Sequence, residues 1–541
     1  MATDVSSREN AKVFLGFDFS TQQAKAILVT NDLKVIQEIA VKFDTELPEF
    51  KTDGGVHVHD DHVTVTAPTA MWVKAFDMLL EKMKSENVPF EKIAAVSGSG
   101  QQHGSVYWKI GAQHLLNNLN PESSMHSQLK DVFSVGDSPI WMDASTTQLC
   151  RDLEEKVGGK QRLTDITGSC GYERMTGNQI AKIYQTNREA YLNTERISLV
   201  SSFVASLCVG DYAPIDESDG SGMNLLNIHT REWAAECLTA CAPDLADKLG
   251  SVVPSKQIIG SVSPYLVQRY GFAQDCQVIA FTGDNPASLA GLTPSAGDVM
   301  VSLGTSDTIF LWLSSPKPST VGHVFVNPIE STDFMALACF KNGSLTRERI
   351  RNECAEGSWD KFIAALENTP MGNNGNIGIY FYVTEIQPLV QGVFRFNSHG
   401  EEVTSFPKEV EIRAVLEGQM VARRYYSEML GFNFNSTNTR VIATGGASTN
   451  PAILQVIADV FNAPVYTKDV ANSAALGSAF RAKHGWLGPG VDYSEVVSGL
   501  KQPPCVAVPS PGADKVYGDL CDRYKELEAR IQNRTSLIST D

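Results

Sequence analysis

No uninterrupted apolar run in these 541 residues approaches membrane-spanning length. A positive balance is missing as well. The formal net charge of −17 argues against nonspecific binding of nucleic acid or anionic membranes. It does not exclude an anionic small substrate, because a local basic or backbone site works inside an acidic protein. Cysteines at metal-ligand spacing are also lacking. The ten cysteines are dispersed, and the nearest pair, Cys237 and Cys241, has no matching Cys or His pair beside it. There is no zinc signature and no disulfide framework, so buried free thiols are expected. The first dozen residues hold no apolar signal core, and the terminal Ser-Thr-Asp is not a peroxisomal address. These absences predict a cytoplasmic protein with no nucleic-acid or membrane partner. In such a protein the Asn342-Gly343-Ser344 sequon is a chance match. With 43% hydrophobic and 20% charged residues, the composition is that of a globular chain, long enough for two or three domains.

Against these absences, three separated stretches each end a β-branched strand in a turn of small residues. They are Val13 to Thr21, Val299 to Thr308 and Val441 to Ser448. A strand delivers its turn to a fixed place. Gly, Ser and Thr there let backbone N–H groups and hydroxyls approach an anion closely. One such turn says little. Three of them, in two halves of the chain, suggest a nucleotide held between two domains.

The element order supports that division. Val13–Asp18 and Ala24–Thr30 read as a hairpin, Lys34–Lys42 as a third strand, and His62–Lys84 as a helix. Ile93–Ser97 reads as a buried strand running into Gly98-Ser99-Gly100-Gln101-Gln102-His103-Gly104. Residues 111–134 look like an irregular insertion. The strand Val278–Phe281 ends in Thr282-Gly283-Asp284-Asn285-Pro286, with Asn285 as helix cap and Pro286 opening the helix. The pattern then restarts with a hairpin, Asp298–Leu303 and Thr308–Leu313. Later come a helix over Val410–Leu430 and a strand, Arg440–Thr444, leading to Gly445-Gly446 and a helix capped by Asn450 and opened by Pro451. Residues 501–513 are Pro-rich, and a helix over Asp514–Asn533 follows. The expected division is 1–292 and 293–541, with a hinge near 290–297.

Asp18-x-Ser-Thr with Lys25, Gly98-x-Gly-Gln-Gln-His-Gly, Gly283-Asp284-Asn285, Ser302-Leu303-Gly304-Thr305-Ser306, Arg413 to Gly418 and Thr444-Gly445-Gly446-Ala447 occur in this order along the chain. In this the chain resembles the FGGY carbohydrate kinases from about residue 12 to 490. Gln101 to Gly104 and the Glu173-Arg174-x-Thr-Gly-Asn-Gln segment are most similar to eukaryotic members acting on xylulose. The resemblance implies an α/β fold of two actin-like, ribonuclease-H-like domains with a nucleotide cleft between them. The first would bind the sugar and carry the base, and the second would bind ATP. It also implies ATP and Mg²⁺ as cofactors and D-xylulose as acceptor, in a monomer or homodimer. Ser20 and Gln23 depart from the family's usual Asp-x-Gly-Thr-x-Ser turn, and Met175–Thr186 lacks an aromatic common in one signature.

Phosphoryl transfer to a hydroxyl needs a base, neutralised phosphates and in-line positioning. With the resemblance, Asp284 is the expected base; on spacing alone the reading of it as merely a helix cap is favoured. Asp18, at the end of the first strand, is the expected Mg²⁺ ligand, though Asp often forms turns. Ser20, Thr21 and Gln22, and from the other domain Thr305 and Ser306, are expected donors to phosphate, against plain hairpin chemistry. His103, Arg174 and Asn285 join Asp284 as expected sugar ligands. A structural histidine, an ion-paired arginine and a capping asparagine are the alternatives. Gly445, Gly446 and Asn450 are expected to face adenosine, and Trp359 to pack on adenine or else sit in a helix core. Kinases acting on ribulose, gluconate or glycerol remain rival readings, as does an actin-like ATPase that modifies no sugar.

Overall fold

The computed structural model describes residues 12–434, 438–468 and 472–538. The chain divides into two compact units. One comprises Met1–Pro294, Phe325–Phe334 and Ala471–Lys501, and the other Ser295–Val324, Met335–Val470 and Gln502–Asp541, each over its described residues. The units are thus assembled from separated stretches, unlike the single cut at 292/293 expected from the sequence.

The first unit is built on a mixed sheet of β1 (Val13–Phe19), β2 (Gln23–Thr30), β3 (Val35–Lys42), β4 (Ile93–Gly100), β5 (Ile258–Ser261), β6 (Gln277–Ile279) and β7 (Thr282–Gly283). Its order is β5-β6-β4-β1-β2-β3, with β7 also on β4. Strand β1 lies antiparallel to β2 and parallel to β4. It is buried along its whole length, and so reads as an apolar run rather than an alternation. At the edge, β3 buries only Ile39 and Val41 and exposes Val35 and Ile36 along with Glu38 and Lys42. The parallel register sets Asp18 opposite Ser99, and Ser99 opposite Thr282. The carboxyl ends of β1, β4 and β7 therefore finish side by side, where open α/β sheets offer their ligand sites.

Helices clamp this end in place. Thr69–Ser85 buries Trp72, Phe76, Leu79, Leu80 and Met83 at helical spacing, and packs on β2 and β3. Val200–Val209 lies on β4, while Ser473–Leu487 lies on β1 and β4 and crosses the helix Asp284–Gly291. At that crossing the backbones nearly touch. A Cβ on Gly477 would meet Ala287 O at 1.8 Å, and one on Gly291 would meet Ser473 O at 2.0 Å.

A second sheet repeats the plan with β8 (Asp298–Leu303), β9 (Asp307–Leu313), β10 (His323–Val326), β11 (Phe334–Phe340), β12 (Arg440–Thr444), β13 (Val465–Thr467) and β14 (Cys505–Ala507). The order is β10-β11-β9-β8-β12-β13-β14. Again an opening hairpin (β8 with β9) is joined along its first strand by a later parallel strand, β12. Lys408–Met429 packs against Pro451–Phe461 and Ala513–Ile538.

Three expectations change. The helix expected over His62–Lys84 begins at Thr69, because Val65–Pro68 is a strand paired with Asp137–Pro139. The region expected to be irregular, 111–134, holds the helices Ala112–Asn117 and Met125–Leu129. The second is tied down by its buried Met125 and Leu129, and by Asp77, which accepts from Met125 N at 3.1 Å and His126 N at 2.6 Å. Asn285 does not cap its helix. Gly283 holds the cap position and Asp284 is the first helical residue, because β7 carries the chain in extended form up to Gly283. The Asn450 cap and Pro451 opening are as expected, with Asn450 Oδ1 accepting from Ala452 N and Ile453 N. Asn342, in the sequon, is buried and donates to Val383 O and Glu385.

Candidate active site

Asp18 closes β1, and its carboxylate is buried there. Ser99 Oγ donates to Oδ1 at 2.9 Å, while Oδ2 has no donor among the described residues. Burial pushes its pKa up to about 6, against the opposing pull of Ser99 and Lys25. Lys25 faces Asp18 across the hairpin and is held by Asn472.

Asp284 stands where β7 turns into its helix. Its half-buried carboxyl is walled by protein yet keeps solvent access. Loss of water, reinforced by the negative charge of Asp18, pushes its pKa up to about 7. Backbone N–H groups of Asn285 and Gln102 oppose that rise. Oδ1 accepts from Asn285 N at 2.8 Å and from Asn285 Nδ2 at 3.3 Å. Asn285 Nδ2 also donates to Gln102 Oε1 at 2.9 Å. A carboxyl that ionises near neutrality and is fixed through one oxygen is suited to accept a proton on the other.

His103 takes a left-handed backbone, φ 69°, which costs a non-glycine residue energy. Two bonds hold it: Thr176 Oγ1 donates to its carbonyl at 3.0 Å, and its Nδ1 lies 2.7 Å from Gly222 O. A carbonyl only accepts, so Nδ1 carries the hydrogen and Nε2 is the acceptor. Burial, with the charge of Arg174 nearby, pushes the imidazole pKa down to about 4, so the ring is neutral at physiological pH.

Arg174 has no carboxylate partner among the described residues, which removes the ion-pair alternative. It stacks instead on Trp141 (5.3 Å) and Tyr172 (5.5 Å), leaving its guanidinium donors for another acceptor. Trp141 Nε1 in turn donates to Thr21 Oγ1 at 2.8 Å. This aromatic link was absent from the sequence reading. Tyr172 lies two residues from Arg174 and could have been suspected, but no local pattern brings Trp141 there. Ser20 Oγ donates to Gln23 O at 3.0 Å within the turn, and Gln22 is exposed. Gln101, almost wholly buried, has neither side-chain polar atom paired among the described residues. Asp18, Thr21, His103, Arg174, Asp284 and Asn285 are thus drawn into one region of the first unit.

The second unit carries a cavity of about 400 Å³, lined by Arg347, Trp359, Ile363, Gly446, Thr449 and Asn450, among others. Trp359 is half-buried at its wall, stacked by Arg351 at 4.7 Å, which differs from the helix-core alternative. A Cβ on Gly446 would meet nothing within 4 Å, so no internal contact requires glycine there. Gly445 is different: φ is 86° and a Cβ would meet Leu303 O at 2.6 Å, which packs it onto the end of β8. Thr305 and Ser306 are exposed in the β8–β9 turn and do not line the cavity. The residue after them, Asp307, is gripped by Arg347 through both oxygens at 2.9 Å, and by Arg423 at 3.0 Å. Among the described residues no three His, Cys, Asp or Glu side chains cluster as a ready-made metal site.

Two repeated mixed sheets, with Asp18 and Asp284 at the carboxyl edge of one and a cavity bordered by Gly446 in the other, place the fold in the actin-like class. Residues 131–291 and 299–486 match the N-terminal and C-terminal domains of the FGGY family of carbohydrate kinases, and the chain belongs to that family. It is 57% identical over 531 residues to the xylulose kinase of Rattus norvegicus, covering 98% of this chain and 99% of that one. With xylulose kinase 2 of Arabidopsis thaliana the identity is 49%, over 88% and 87% of the two chains. Among solved structures, the xylulose kinase of Rhodospirillum rubrum superposes with a TM-score of 0.79 at 15% identity, covering 96% and 99%. At that identity the superposition speaks for the fold.

Proposed function

We propose that this sugar kinase transfers the γ-phosphoryl group of ATP to D-xylulose, giving D-xylulose 5-phosphate and ADP. The observation that carries the acceptor's identity is the near-full-length 57% identity to the rat xylulose kinase. The arrangement around Asp284 supports the chemistry. Asp284 takes the proton from the terminal hydroxyl of the sugar. The freed oxygen forms a bond to the γ-phosphorus as the bond from that phosphorus to the bridging oxygen breaks, and ADP leaves with that electron pair. General-base assistance of this kind is typically worth ~10²–10⁴-fold.

His103 Nε2 accepts from a sugar hydroxyl, and Arg174 donates to the sugar's carbonyl and hydroxyl oxygens. Asn285, already bonded to Gln102 and Asp284, orients the base and reaches the acceptor. Thr21, with Ser20 and Gln22, faces phosphate from the first unit, and Thr305 and Ser306 do so from the second. Gly445, Gly446, Asn450 and Trp359 hold the nucleoside. In this reading the first unit binds sugar and the second binds ATP. The donor set fits Mg²⁺: Asp18 offers one unpaired carboxylate oxygen, and a magnesium ion that arrives with phosphates and keeps its waters needs few protein ligands. When bound, it neutralises phosphate charge. A cytosolic enzyme fits this activity.

An ADP-release assay over xylulose, ribulose, gluconate and glycerol, with product identification, tests the reading. Preference for xylulose is expected. Strong preference for glycerol would sink it, and sugar-independent ATP turnover would point instead to an ATPase. Asp284→Asn is expected to bind ATP and lose ~10²-fold or more of kcat; near-normal turnover removes Asp284 from the mechanism.

A further inference from the structure

Behind the base lies a polar chain whose far end is an acid. The short helix Glu217–Gly220 carries Asp219, buried beside Gly283, the residue that delivers Asp284. A Cβ on Gly283 would meet Asp219 Oδ1 at 2.7 Å and Gln102 Cγ at 2.5 Å, so both side chains press on that glycine. Ser201 Oγ donates to Asp219 Oδ2 at 2.5 Å. Among the described residues this leaves Oδ1 as a buried acceptor without a full hydrogen bond, and Gln102 Nε2 as a buried donor in the same condition. Burial and the charge of Asp216 push the Asp219 pKa well up, with Ser201 and Gln102 opposing the rise. With the proton on Oδ2, toward Ser201, or absent, Oδ1 is an acceptor toward Gln102. On its other side Gln102 Oε1 accepts from Asn285 Nδ2, which also donates to Asp284 Oδ1.

We propose that Asp219 is a positioning residue for the transfer, acting through Gln102 and Asn285 on the Asp284 carboxylate. The inference rests on Asp284 being the base. Its logic is polarity. An amide has a donor end and an acceptor end, and only an acceptor at the Asp219 position obliges Gln102 to turn its Nε2 that way. Gln102 Oε1 then faces Asn285, and Asn285 must spend its Nδ2 hydrogens on Gln102 and on Asp284 Oδ1. With Oδ1 committed, Oδ2 is left to take the proton. Remove the acceptor at 219 and Gln102 is free to flip, opposing Nε2 to Nδ2. Two donors repel, the Asn285 amide turns, and Asp284 loses its alignment.

The test compares Asp219→Leu with Asp219→Asn. Asparagine keeps an acceptor oxygen for Gln102 and can donate to Ser201 Oγ, so it is expected to stay within a few-fold of wild type. Leucine is expected to lower kcat on the order of 100-fold, as misplacement of a reacting group does, with KM for ATP unchanged. Gln102→Leu, which breaks the chain at its second link without altering 219, is expected to match the leucine variant and guards against misfolding at 219. Equal losses in the leucine and asparagine variants, or wild-type kcat in Asp219→Leu or in Gln102→Leu, overturn the relay. An active Asp284→Asn would overturn the underlying assignment of the base. An inactive Asp284→Asn alongside an active Asp219→Leu overturns the relay alone.

Discussion

In the role proposed for it, Asp284 carries opposed demands at the scale of the residue. Burial and the charge of Asp18 raise its pKa to about 7, and a base must be ionised to accept a proton. The kcat profile is therefore expected to fall as pH drops through about 7, and a log kcat against pH plot should bend there; a flat profile from pH 8 to pH 5 would contradict the assignment. The same shift acts on stability. An unfolded aspartate ionises near ~3.9, so between that pH and about 7 the folded state binds the extra proton. By linkage, stability attributable to this group declines as pH rises through that window and stays low above it. Asp284→Asn is accordingly expected to raise the unfolding midpoint at pH 8, and to raise it less at pH 5. Much here was legible in sequence: Asp18 and Asp284 each follow a strand, and Arg174 and His103 sit in short glycine-flanked or aromatic contexts. Trp141 beneath Arg174 was not, because stacking leaves no local spacing to read.

The decisive element is the helix that begins with Asp284. It is held by the crossing with Ser473–Leu487, where Gly291 and Gly477 let the two backbones meet. Gly477→Val has nowhere to place its side chain, since Ala287 O and Gly291 N lie within 2.6 Å of the first added carbon. Overpacking of this kind costs ~1–3 kcal/mol or more, and the forced shift falls on the element bearing Asp284. A lower denaturation midpoint together with reduced kcat is the expected result, whereas Ala482→Gly on the same helix should show the first without the second. The first helix was visible as a pattern, by its Asn-Pro start, whereas Ser473–Leu487 was not read from the sequence. Nor was their meeting, because it joins stretches nearly two hundred positions apart in the chain. The helix expected from His62 failed for a related reason. Val65–Pro68 is apolar enough for either state, and its partner strand, Asp137–Pro139, decided for extended backbone.

For the molecule as a whole, the reading divides labour between the two units, and ligand-induced stabilisation tests the division. A ligand at 100 times its Kd stabilises the state that binds it by ~2.7 kcal/mol. ATP with Mg²⁺, and xylulose separately, are each expected to raise the unfolding midpoint. Gly446→Val, which fills the cavity wall where a Cβ meets open space, should abolish the ATP response and leave the xylulose response intact. Loss of both, or of neither, would contradict the assignment.

The sequence by itself determined the class of this protein. Strand-ended turns of small residues, an opening hairpin repeated in the second half, and Asn-Pro at a helix start are local signals, set by backbone preferences over a few residues. The acidic charge and dispersed thiols are likewise properties of composition. Tertiary structure alone decided which distant residues share a site: Asp219 against Gly283, Trp141 between Thr21 and Arg174, and Ser473–Leu487 with the first unit rather than the second. Those contacts follow from how whole elements pack to fill space, and no window of sequence contains both partners.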